Sequence, residues 1–183
     1  MIHTLLDWTG YWVVCLTAFA VRRLPLEAAL GFGRGAGILI YFFNERRRVA
    51  YANLKAAFPA STVQERKRWT REMYQGLGMS AVEMMRTPIL KTEDVDRYVT
   101  KHEGYENYVK HYQRKKGLIL LTAHVGNWEL SQIVEGLYGR PMTVLARRQK
   151  FKRLDSLLNT FRQYHGSVSV GKGGGIRDLI RAR

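Results

Sequence analysis

Apolar residues run without a charge from Trp8 to Val21, bounded by Asp7 on one side and by the Arg22–Arg23 pair on the other. With Trp8, Tyr11 and Trp12 at one end and two cations at the other, the pattern predicts a short membrane span or a tilted interfacial helix. A buried core helix is the alternative, because a full span needs roughly twenty apolar residues. A cleavable signal fits less well, since charge follows the apolar run here and precedes it in a signal. The next apolar stretch, Leu26 to Phe43, carries only Glu27 and Arg34 as charges. Its glycines fall at four-residue spacings, Gly31 with Gly35 and Gly33 with Gly37, which predicts a helix packed closely on the first. After the Arg46–Arg48 cluster, Pro59 marks a break. Thr62 and Glu65 then have the spacing of a capping box, and Trp69, Met73, Leu77, Ala81 and Met84 recur along one face as far as Pro88. That stripe reads as the core face of a long amphipathic helix.

Beyond Pro88 the period changes to short strands alternating with helices, the signature of an α/β layer. The candidate strands are Tyr98 to His102, Leu118 to Ala123, Met142 to Ala146 and Ser167 to Val170. Helices are expected between them at Tyr105 to Lys115, Glu129 to Tyr138 and Phe151 to Tyr164, with a last one from Ile176. The fold class is therefore α/β, with hydrophobic and amphipathic helices ahead of an alternating strand and helix layer. Residues 1–45 are read as membrane-associated helices and residues 46–183 as the catalytic part. The layer is expected to be incomplete, because the chain stops on a helix where such a unit should feed another strand.

Charge narrows the partners. Thirty Lys and Arg against fifteen Asp and Glu give a net charge of +15 in 183 residues, which points to a polyanion or an anionic surface. From Gly139 onward eleven basic residues face only Asp155 and Asp178. The single cysteine, Cys15, excludes an intramolecular disulfide framework and a cysteine zinc site. His3, His102, His111 and His165 have no metal-ligand spacing, so no metal or other cofactor is expected. The stretch from Gly166 to Lys172 has Walker A spacing, but Gly173 stands where Ser or Thr would hold magnesium, which argues against a nucleotide site.

The chemistry concentrates where GLILLTA gives way to HVGNWE. His124 stands at the carboxyl end of an expected strand, the edge at which open α/β sheets bind ligands. Glu129 follows five positions later, and on one continuous helix the two side chains would diverge. A turn at Gly126 with Asn127 as helix cap lets them meet. A histidine held by a carboxylate takes a proton from a hydroxyl nucleophile, which predicts transfer to an alcohol. Spacing alone supports equally a strand-end His124 and a Glu129 that merely favours a helix N-terminus.

These residues resemble the bacterial lipid A biosynthesis (late) acyltransferases of the lysophospholipid acyltransferase-like superfamily. HVGNWE is similar to that family's signature of His, four residues and an acid. RRRVAYANLKAAFP and VLARRQKFKRLDSLL resemble the flanking segments, so the likeness covers nearly the whole chain. It implies His124 as general base and Glu129 as its orienting partner, with Arg147, Arg162 and Asn127 on the substrate side. It further implies an acyl carrier protein or acyl-CoA donor, a phosphorylated glycolipid acceptor, and a place on the cytoplasmic face of the bacterial inner membrane, with no nucleic-acid partner. The chain departs from the family in ending before a strand that carries a further functional aspartate. It also has Arg148, Lys150 and Phe151 where proline and asparagine are usual, a difference that bears on substrate choice. An acyltransferase for another glycolipid or an amino-acid lipid is the nearest alternative. A basic membrane-surface or nucleic-acid binding module without catalysis is the more distant one.

Overall fold

The computed structural model describes residues 2–171 and, of Ile2 and His3, the backbone alone. The expected helix from Ile176 and the Lys172–Gly173 end of the Walker-like stretch lie outside the described residues. The chain divides into two compact units, one of residues 13–86 and one of residues 1–12 with 87–183. Helix α1 (Ile2–Val21) contributes to both.

The unit of residues 13–86 is helical. It contains the rest of α1, then α2 (Leu26–Phe43), α3 (Arg47–Ala57) and α4 (Val63–Arg86). The sequence places the glycine stripe of α2 against α1, whereas in the structure it packs on α4. A Cβ on Gly33 would lie 2.7 Å from the Gly78 carbonyl oxygen, and one on Gly37 would collide with the Tyr74 carbonyl. Gly31 and Gly35 face open space. The small residues thus bring two backbones together along one line, where dispersion contacts between main chains replace side-chain interdigitation. The same contact corrects the expected stripe of α4. Tyr74 and Val82 are buried, while Met73 and Leu77 are exposed, because the close approach at Gly78 fixes the rotation of the helix. Val21, Ala29 and Val82 form the apolar cluster of this unit, with Met85 against it.

Both ends of α4 are closed by side chains. At its start the Glu65 carboxylate accepts from the Thr62 amide at 2.7 Å and the Glu65 amide donates to Thr62 Oγ1 at 3.2 Å, a capping box as the spacing predicts. At its end the Arg86 guanidinium donates to the carbonyls of Val21 and, at 2.8 Å, Leu24. Those carbonyls, at and just beyond the end of α1, have no intrahelical partner of their own.

By length and composition two helices are apolar enough to cross a membrane, over Thr4–Val21 and Leu26–Phe43. Trp12, Val13, Leu16 and Phe19 of α1 and Leu39, Phe42 and Phe43 of α2 are exposed.

The second unit holds two 3-10 turns, at Thr87–Ile89 and Thr92–Asp94, followed by α5 (Val95–Tyr98), α6 (Tyr105–Tyr112) and α7 (Trp128–Leu137). Next come β1 (Thr143–Ala146), α8 (Lys152–Gln163) and β2 (Val168–Gly171). The strands pair in parallel, Thr143 with Val168 through Ala146 with Gly171, so β1, α8 and β2 form a crossover unit. Leu90, Val95, Ile133, Val134 and Phe161 are its buried apolar residues.

Two of the four expected strands are present and two are not. Tyr98 closes a helical turn whose first residue, Val95, is buried, and the segment to His102 is irregular. His102 is held by aromatic contacts, its ring centroid 4.9 Å from that of Tyr105. Residues 118–123 are also irregular, with Ile119 95 % and Leu121 100 % exposed. A strand exists only with a hydrogen-bonded neighbour, and the described strands pair with each other alone. Among the described residues the chain is accordingly mostly helical with one small parallel sheet.

Candidate active site

Local rules position the HVGNWE segment. Gly126 adopts φ +59, a left-handed conformation that suits glycine, and turns the chain into α7. Asn127 is the helix cap, its side-chain oxygen accepting from the Leu130 amide at 3.3 Å. Glu129 therefore stands in the first turn of α7, where the helix dipole favours a carboxylate.

Glu129 is bound by Arg162, which comes from α8. Arg162 Nε donates to Oε2 at 2.9 Å and Nη2 donates to Oε1 at 2.6 Å, a bidentate charge-assisted pair. The two side chains keep only 16 % and 12 % of their surfaces exposed. Gln132, one turn along α7, donates to Glu129 Oε2 at 2.6 Å, and Asn159 accepts from Arg162 Nη1 at 3.3 Å. Every carboxylate oxygen thus has a partner, the condition under which a largely buried ion pair is tolerated.

His124 lies elsewhere. Its residue is exposed and its ring rests against Trp128, centroid to centroid 4.6 Å and tilted by 46°. The structure brings together Glu129 and Arg162, both singled out in the sequence, and places Asn127 two residues before Glu129 as the cap. The carboxylate is taken by Arg162 and Gln132 rather than by His124. Arg147 follows the last residue of β1 and is exposed on the wall of a cleft at the carboxyl end of the sheet. Among the described residues no group of three or more His, Cys, Asp or Glu side chains is placed to hold a metal ion.

Sequence reasoning missed two features of this unit. One is an apolar recess of about 300 Å³ lined by Val99, Leu120, Asn127, Leu130, Val134 and Met142, among others. Its wall also holds Tyr105, Tyr108 and Glu135, which belong to a polar cluster. Arg140 Nε donates to Glu135 Oε2 at 2.8 Å, and the Tyr105 hydroxyl donates to Glu135 Oε1 at 3.2 Å. Burial, followed by the hydrogen bond and charge of Glu135, pushes the Tyr108 phenol up to about 12. The one signal in the sequence is the spacing of Tyr105, Tyr108 and Tyr112 on one helix face.

The other is Asp7. This residue is 6 % exposed, and its carboxylate accepts from the amide of Arg153 at 3.1 Å and from that of Leu154 at 3.5 Å. The Arg153 guanidinium also donates to it at 3.2 Å and covers the Trp8 ring at 4.0 Å. A residue of α1 thus caps α8, whose own N-cap position, Phe151, supplies no side-chain bond. An acid inside an apolar run was the available signal.

The family model for bacterial lipid A biosynthesis acyltransferases matches residues 2–183. The lipid A biosynthesis palmitoleoyltransferase of Escherichia coli K12 is 24 % identical over 178 residues, covering 97 % of this chain and 56 % of the relative. The lipid A biosynthesis acyltransferase of Shigella flexneri shows the same identity and coverage. The lipid A biosynthesis lauroyltransferase of Escherichia coli K12 is 28 % identical over 126 residues, 68 % of this chain and 40 % of the relative. The chain spans little more than half the length of the first two. No solved structure gives a significant match.

Proposed function

Since this chain belongs to the bacterial lipid A biosynthesis acyltransferase family, we propose that it carries the acyl-transfer chemistry of an O-acyltransferase. A fatty acyl chain moves from acyl carrier protein, or from acyl-CoA, to a hydroxyl of a lipid A precursor or related glycolipid. His124 takes the proton of the acceptor hydroxyl as its oxygen attacks the thioester carbonyl carbon. The tetrahedral intermediate collapses with cleavage of the C–S bond. The imidazolium returns the proton to the departing thiolate, leaving an ester and a thiol.

The observation that carries this reading is the bidentate Glu129–Arg162 pair in the first turn after the HVGN turn. It fixes a carboxylate within five residues of His124, and such a group orients and charge-balances an imidazolium that turns off Trp128 when substrate is bound. Hydrogen bonds of this kind commonly close only in the substrate complex. Asn127 and Arg147 serve the substrate side, Asn127 by its place on the wall of the apolar recess and Arg147 by its place at the carboxyl end of β1. Arg162 holds Glu129.

Residues 1–45 supply membrane-associated helices at the inner membrane, with the catalytic part, residues 46–183, on the cytoplasmic side. The exposed apolar side chains of α1 and α2 favour the membrane association. The test is incubation of membranes holding the full chain with a lipid A precursor and acyl carrier protein or CoA thioesters, followed by mass spectrometry. The expected product is heavier by one acyl group. An acceptor that stays unmodified with every donor, while the protein is present and folded, overturns the proposal.

A further inference from the structure

Two helices have the length and composition of a membrane span, yet both ends of α1 are tied to helices that carry many charges. Asp7, in the second turn of α1, accepts from the amides of Arg153 and Leu154 at the start of α8. At the other end Arg86 of α4 donates to the carbonyls of Val21 and Leu24, and Arg22 Nε donates to the Met85 carbonyl at 2.7 Å. If α1 crossed a bilayer, Asp7 with α8 and Leu24 with Arg86 would stand on opposite sides. The chain would then have to cross again between Thr87 and Arg153. Among the described residues no helix in that stretch is long and apolar enough to do so. From Asp7 to Val21, moreover, α1 rises only about 21 Å, short of a hydrocarbon core of roughly 30 Å.

A crossing by α2 meets a different obstacle. Its middle glycines, Gly33 and Gly37, lie against the backbone of α4 at Gly78 and Tyr74. With α2 across a bilayer, that stretch of α4 would sit near the bilayer centre, and the exposed Arg71 and Glu72 stand within one turn of Tyr74. Arg34, halfway along α2, is exposed as well. Charges at that depth face a cavity or a partner in a spanning bundle, not lipid. A wholly water-facing hairpin is no better an account, because Trp12, Leu16 and Phe19 of α1 and Leu39 and Phe43 of α2 are exposed. The last turn of each helix carries an arginine folded back over it. Arg23 covers the Phe19 ring at 3.4 Å and donates to the Phe19 carbonyl at 3.2 Å, and Arg47 donates to the Phe42 carbonyl at 2.8 Å. An apolar face edged by cations matches acyl chains beneath anionic headgroups.

We infer that α1 and α2 lie in the plane of a single leaflet and that neither crosses the bilayer. The chain is then held from one side only, the side on which residues 46–183 stand. In taking a bilayer as the partner, the inference rests on the membrane association proposed above. The hydrogen bonds and charges that deny a crossing do not depend on it.

Two measurements on the full chain with Cys15→Ser test this without any need for activity. In the first, Thr4→Cys, Leu24→Cys and Lys101→Cys, each added singly at an exposed position, meet a membrane-impermeant maleimide in spheroplasts and in inside-out vesicles. Thr4→Cys and Leu24→Cys are expected to react only from the face at which Lys101→Cys reacts. Reaction of Leu24→Cys from the opposite face reveals a crossing hairpin, and reaction of Thr4→Cys alone from that face reveals a single span; either overturns the inference. The second reads depth, and it decides even where a position is shielded from both faces. Trp12 and Phe19 stand two turns apart on one side of α1, about 10 Å along its axis. Nitroxides on Trp12→Cys and Phe19→Cys are compared by collisional relaxation in vesicles of phosphatidylethanolamine and phosphatidylglycerol. An in-plane helix sets them within about 4 Å of one depth, and a crossing helix sets them about 10 Å apart. The larger difference overturns the single-leaflet arrangement and leaves the membrane association standing. Labels as open to an aqueous relaxant with vesicles as without them overturn both.

Discussion

Replacing Asp7 by alanine removes the acceptor for the first free amides of α8, and its cost can be worked from the contacts. Loss of an aspartate cap costs about 0.5–2 kcal/mol. The ion pair with Arg153 adds little, since that side chain is 40 % exposed and pairs of this kind contribute about 0–1 kcal/mol. The expected total is about 1–2 kcal/mol, or a fall in Tm of roughly 2–8 °C for a chain of this size. Asp7→Asn separates cap from charge, because asparagine caps about as well as aspartate while losing the dipole and guanidinium interactions. It should cost no more than about half as much. Thermal unfolding by far-UV circular dichroism in detergent reads both values, and amide hydrogen exchange at Arg153 and Leu154 reads the cap itself. Asp7→Ala should deprotect those two amides, and Asp7→Asn should leave them protected. Equal destabilisation by the two variants with both amides still protected would refute the capping argument and leave the charge pair as the sole contribution.

Removing either member of the Glu129–Arg162 pair strands a mostly buried charge, so a double-mutant cycle with Glu129→Gln and Arg162→Met should show a coupling of about 2–3 kcal/mol in urea unfolding. A coupling below about 0.5 kcal/mol would contradict the pair's structural role. Gly78→Ala sets a Cβ against the Gly33 backbone and should destabilise by about 1–3 kcal/mol, whereas Gly76→Ala, with open space around it on the same helix, should stabilise by up to about 1 kcal/mol. Comparison of the two Tm values checks this. The Tyr108 phenol, raised to about 12 from 10.0, binds its proton more tightly in the folded chain. The stability it contributes is full below pH 10 and is lost as pH rises toward 12. Tyrosinate absorbance should show late titration at Tyr105 and Tyr108, both raised by burial, with the latest phase removed by Tyr108→Phe.

Where a rule is local, the sequence was read well. Helices α4, α7 and α8 begin and end within a residue or two of the expected limits, because the Thr62–Glu65 box, the Gly126–Asn127 turn and Pro88 act over a few residues. Strands β1 and β2 were likewise legible from short β-branched runs around a helix of the right length. Leu118 to Ala123 failed as a strand, since its apolar composition says that it suits a sheet and nothing about whether a neighbour is there to bond with. The partner of the α2 glycines and the rotation of α4 were invisible for a related reason. Close approach needs glycine on both helices, and Gly78 was not marked as the other half of the contact. At the candidate site, Glu129 and Arg162 were each singled out, but their pairing across 33 residues depends on how α7 and α8 pack. The role of Asp7 was hidden by its place in a run whose other residues argue for membrane.

If His124 and Glu129 carry acyl transfer, radiolabelled transfer from acyl carrier protein to a lipid A precursor depends on both side chains. Membranes containing the unaltered chain, His124→Ala and Glu129→Gln are compared at equal amounts of folded protein. The unaltered chain should transfer the label, and both variants should lose about a hundredfold or more. Undiminished transfer by His124→Ala would contradict that role of His124.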